Sequence, residues 1–136
     1  METKTLYHDL KNALSRNGES TKYFTKETLD TIMKDRLSYA KVEASGADHK
    51  DFFRSSDTAK TDFYIKNSCA YCVLLELLSG LQELYNIFVT FPECVRAFHL
   101  RVKADSAEQA EYFAIAKVVR ENTGIYGKII AGVEND

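Results

Sequence analysis

Flexible joints are scarce in this chain: its 136 residues include one proline, Pro92, and six glycines. So little of either leaves no room for long linkers or low-complexity tracts, and no internal repeat is visible. The glycines at 18, 46, 80, 124, 127 and 132 form neither G-x-G-x-x-G nor G-x-x-x-x-G-K-[ST], so a dinucleotide fingerprint and a P-loop are both missing. There is no G-x-S-x-G elbow. None of His8, His49 and His99 stands three residues after a glutamate or belongs to a His-Glu-x-x-His motif, which removes the signatures of di-iron bundles and zinc peptidases. Three cysteines make an odd set with no disulfide framework, so free thiols in a reducing, cytoplasmic setting are expected. The opening METKTLYHDLKN lacks the apolar core of a secretory signal.

Basic residues are missing from one long stretch. Between Asn67 and Val95 there is no Lys or Arg, and only Glu76, Glu83 and Glu93 carry charge. Glu76, Gln82, Glu83 and Asn86 interrupt that run too often for a membrane span, so it reads as the buried centre of the molecule. Residues 1–66, with 12 Lys/Arg against 11 Asp/Glu, read as a finely mixed solvated surface. A net charge of -2 gives no reason to expect a nucleic-acid partner. The length suits one domain with a real core, and a single helical domain over 1–136 is the expected organisation.

Leu6, Leu10, Ala13 and Leu14 recur at helical spacing ahead of Asn17-Gly18, so residues 3–16 read as a short amphipathic helix. Thr25 reads as the N-cap of a second helix, with Phe24 and Leu29 placed as a hydrophobic staple and Ser45-Gly46 as its end. A third helix is expected from about 58 to 89, carrying Ala70, Leu74, Leu77, Leu81, Leu84 and Phe88 on one side, with a break or bend admissible near Gly80. Thr90-Phe-Pro-Glu93 has the form of a capping box with proline in the first turn. Asp105-Ser-Ala-Glu108 has it too, opening a helix to about Asn122. The preferred fold is mainly α, a bundle of four to five helices around the long apolar helix. The alternation of Phe98, Leu100 and Val102 with His99, Arg101 and Lys103 supports an α+β alternative, with a small C-terminal β-α-β unit over 97–103, 106–122 and 125–132.

His8 lies in HDLKN, which resembles over five residues the phospho-accepting box of some sensor histidine kinases. No ATP-binding box follows it, and helical projection makes it a solvated surface histidine. Cys69 and Cys72 have the Cys-x-x-Cys spacing, but three turns inside the expected helix, with Phe63, Tyr64 and Ile65 already helical before them. A thiol of lowered pKa needs a helix N-terminus or a cationic neighbour, and tetrahedral zinc needs two further ligands. The pair therefore reads as small packed residues. On the projected helix, Cys72, Glu76, Ser79, Glu83, Asn86 and Thr90 form a polar seam, while Arg96, His99, Arg101 and Lys103 form a basic patch. Glu76, Ser79, Glu83, Arg96, His99, Arg101 and Lys103 are thus the candidate ligand-binding residues.

With no catalytic motif and an apolar helix too long for a small chain to cover, a non-enzymatic interaction or regulatory protein is expected. It would act through protein–protein contacts, as a homo-oligomer, without cofactor or metal. The alternative is a protein that binds a small phosphorylated or other anionic ligand through the seam and the patch.

Overall fold

The computed structural model describes residues 3–46 and 68–134. Four helices and three strands lie among them: α1 (Thr3–Arg16), α2 (Lys26–Ser45), α3 (Ser68–Leu81), β1 (Glu83–Phe91), β2 (Arg96–Ala104), α4 (Ala107–Glu121) and β3 (Ile130–Val133). The chain divides into two compact units, one holding residues 1–36 and 53–81, the other 37–52 and 82–136.

The first unit is helical, and its local rules are those read from the sequence. α1 ends in a Schellman turn: the Glu19 N–H reaches the Leu14 carbonyl, the Gly18 N–H reaches that of Ser15, and Gly18 adopts φ +77°. α2 is capped by Thr25, whose Oγ1 accepts from the Thr28 N–H at 3.1 Å. Phe24 and Leu29, the two ends of the staple, are both buried in one cluster with Leu10, Leu14, Ile32, Ala70, Leu74 and Leu78. Each fully buried leucine or isoleucine there contributes about 1.5–3 kcal/mol.

The long central helix does not form. α3 stops at Leu81, one residue after Gly80, and residues 83–91 are a strand. The bundle is therefore replaced by an α+β arrangement. LYNIFVTF is rich in aromatic and β-branched side chains, which lose rotamer freedom in a helix and pack well on a pleated surface. Its period-2 register buries Ile87, Val89 and Phe91 together, where a helix would scatter them. The start of the expected helix, from 58, lies outside the described residues, as do Phe63, Tyr64, Ile65 and His49.

In the second unit β1 is central, antiparallel to both neighbours, in the order β2-β1-β3. The α+β alternative thus comes closer, but its two expected strands do not pair with each other, because β1 lies between them, and the last strand spans only 130–133. α4 covers one face through Ala110, Ala114 and Val118, packed with Ile87, Val89, Phe91 and Ala104. Its N-cap is Ser106, one residue later than the expected Asp105: Ser106 Oγ accepts from the Gln109 N–H at 3.2 Å, and Gln109 Oε1 accepts from the Asp105 N–H at 2.6 Å. Gln109 reaches back to the residue before the cap, whereas Glu108 is exposed. The box expected at Thr90–Glu93 starts only a single 3-10 turn, Pro92–Cys94, with no side-chain cap. That turn connects β1 to β2, and Val95 closes it in the left-handed conformation at φ 52°, ψ 50°.

Candidate functional site

The face of the sheet opposite α4 is built from the alternate residues that point away from the core. On β2 these are Ala97, His99, Arg101 and Lys103, all exposed; on β1 they are Leu84, Asn86, Phe88 and Thr90. The register sets Lys103 beside Leu84, Arg101 beside Asn86, His99 beside Phe88 and Ala97 beside Thr90. On the other side of β1, Gly132 stands beside Phe88 and Ile130 beside Thr90. Leu84 and Ile130 are 53% and 42% exposed, so the face carries apolar surface as well as charge.

Two details organise this face. The Phe88 ring lies over Gly132 so closely that a Cβ there would stand 2.9 Å from Phe88 Cζ. Glu134, the residue after β3, donates its N–H to the Asn86 carbonyl at 2.7 Å, adding a rung to the ladder. Its carboxylate meets His99 Nδ1 at 3.2 Å, across β1. Arg101 and Lys103, the next two outward residues of β2, have no carboxylate partner among the described residues.

Three candidate residues, His99, Arg101 and Lys103, are thus brought onto one surface. Arg96 is not: it has the opposite parity, and its guanidinium lies 5.1 Å from the centre of the Phe98 ring. Glu83, which opens β1, also has the opposite parity, with the Tyr85 hydroxyl 3.5 Å away. Glu76 and Ser79 belong to α3 of the other unit. The polar seam therefore dissolves where the helix ends. Its α3 part, Cys72, Glu76 and Ser79, is exposed. Cys69 and Cys72 are also exposed, which corrects their reading as packed residues. His8 is exposed on α1.

Sequence reasoning missed Asn86, Phe88, Gly132 and Glu134 as members of this face. The signal was available in the alternation of LYNIFVTF, which a strand reading would have converted into an outward row at 84, 86, 88 and 90. The Phe88–Gly132 contact and the His99–Glu134 bridge depend on pairing between distant segments and leave no local trace.

A concavity of about 550 Å³ lies between α1 and α3 in the first unit. It is lined mainly by apolar side chains such as Leu10, Val73 and Leu77, with Asp9, Arg16 and Glu76 as its charged members. Among the described residues no group of three or more His, Cys, Asp or Glu could hold a metal ion. No helix among them is long and apolar enough to cross a membrane. No protein-family model, curated protein or solved structure matches the chain.

Proposed function

We propose that this is a non-enzymatic binding protein of a cytoplasmic setting, which engages an anionic protein partner through the open face of its sheet. The reading is carried by one observation: Arg101 and Lys103 stand exposed and adjacent on that face, without carboxylate partners among the described residues. Arginine and aromatic groups are favoured where proteins meet, and here Phe88 lies within the same rows. A small-molecule site is normally concave and buries most of its ligand. A pleated face with projecting bases suits an extended partner better.

A foreign partner is preferred to self-association in this reading, since Ala70, Leu74 and Leu78 of α3 are buried within its own unit. Two copies meeting through β2 would oppose His99, Arg101 and Lys103 to one another, which is unfavourable.

Calorimetric titration with tripolyphosphate, a simple polyanion, tests whether the face recognises negative charge. Binding that disappears in the Arg101→Gln/Lys103→Gln variant, with the circular dichroism spectrum preserved, is the expected result. No binding by the unmodified protein, or binding equal in the variant, would remove the reading.

A further inference from the structure

The geometry points to strand addition at the free edge of β2 as the mode of binding, with a segment alternating acidic and apolar residues as the occupant. This rests on the open sheet face being the working surface. β2 is a nine-residue edge strand. Among the described residues its only strand partner is β1. An edge of that length offers a row of backbone donors and acceptors to an incoming segment.

Both faces of β2 specify what that segment should carry. On the α4 side, Phe98, Leu100 and Val102 are only half-buried, whereas Ile87, Val89 and Phe91 of the central strand are 0–1% exposed. The hydrophobic layer is thus unfinished at the β2 edge, and apolar side chains of an added strand would extend it. On the open side, His99, Arg101 and Lys103 recur every second residue, about 6.8 Å apart. The side chains of an added strand at alternate positions have the same spacing, so carboxylates would fall beside these bases as opposite-charge cross-strand pairs.

The protein already carries a small version of the arrangement. Glu134 joins the ladder through its backbone N–H and sets its carboxylate on His99. This extended segment bearing a glutamate occupies the first base of the row from the β3 side. Arg101 and Lys103 are left to the partner. The same row opposes β2 pairing with a second copy of itself, so the edge selects for opposite charge and against its own kind.

The test is fluorescence anisotropy with a labelled nine-residue peptide alternating glutamate and valine, run on the full chain. Binding is expected, with Arg101→Glu/Lys103→Glu weakening it roughly tenfold or more. That charge-reversed variant should instead bind the peptide in which lysine replaces glutamate. Should the variant not fold, a second arm leaves the protein untouched: the same peptide N-methylated at alternate residues, in each of the two registers. One register blocks the ladder and must abolish binding, while the other must retain it. Retention of binding in both registers overturns strand addition. A peptide that does not bind while tripolyphosphate does overturns it and leaves the anion-binding face standing, and silence of both probes removes the two together. Displacement of the bound peptide by the lysine–valine peptide, or binding of a single-stranded oligonucleotide in its place, also overturns the acidic-segment assignment.

Discussion

His99 and Glu134 meet at 3.2 Å across the central strand of the sheet, so a residue from the last described stretch of chain occupies one end of a basic row. Both side chains are largely exposed, and such a pair contributes at most about 1 kcal/mol to stability. Its consequence is for binding. Glu134→Gln removes a carboxylate that competes for the row, so the variant should bind tripolyphosphate and the glutamate–valine peptide a few-fold more tightly, with its unfolding midpoint little changed. Weaker binding by this variant would mean that Glu134 supports the site.

The Phe88 ring lies over Gly132 on the same face. Gly132→Ala places a methyl group against the Phe88 ring and forces it aside, at an expected cost of about 1 kcal/mol in denaturant unfolding. In a Phe88→Ala background the same change should cost nothing or stabilise, since alanine suits a strand better than glycine. Equal costs in both backgrounds would show that the ring is not the obstacle.

Val95 is a β-branched residue in the left-handed region and is 90% exposed, so its side chain gives little burial in return for the backbone conformation. Val95→Gly relieves a strain of about 1–2 kcal/mol against the greater chain entropy of glycine in the unfolded state. A net gain of about 0.5–1 kcal/mol is expected by chemical denaturation. A loss would place Val95 in a contact that holds the turn.

Tyr85 holds its phenolic proton more tightly than the ordinary value of 10.0, first because burial disfavours the phenolate, then because Glu83 is close by. A raised folded-state pKa means that the contribution to stability is complete below pH 10 and is lost as pH rises through the folded value. The ultraviolet titration difference between the protein and its Tyr85→Phe variant should therefore have a midpoint above 10. Glu83→Gln should lower that midpoint, and an unmoved midpoint would assign the shift to burial and Asp105 without Glu83.

The parts of the fold legible in the sequence are those decided locally. α1, with its Asn17-Gly18 stop, and α2, with its Thr25 cap and Phe24–Leu29 staple, follow from residues within a few positions of one another. Leu84 to Thr90 is different, because its side chains fit an apolar helix face and a buried strand alike. Three tertiary facts choose the strand: pairing of Ile87 with Leu100, pairing of Phe88 with Gly132, and the cover that α4 gives to Ile87, Val89 and Phe91. The candidate site shared that fate. His99, Arg101 and Lys103 are readable as a patch from their alternation. The helix expected from about 58 to 89 drew Glu76, Ser79 and Glu83 into one seam, and it concealed the outward row that Asn86 and Phe88 form on β1.

The most direct test of the anion-binding face is an amide chemical-shift map of the ¹⁵N-labelled protein titrated with the glutamate–valine peptide. The largest changes should fall on β2, from Phe98 to Lys103, with smaller ones at Asn86 and Phe88. Changes centred instead on Leu10, Ala13, Val73 and Gly80, around the groove between α1 and α3, would contradict the assignment of the sheet as the working surface.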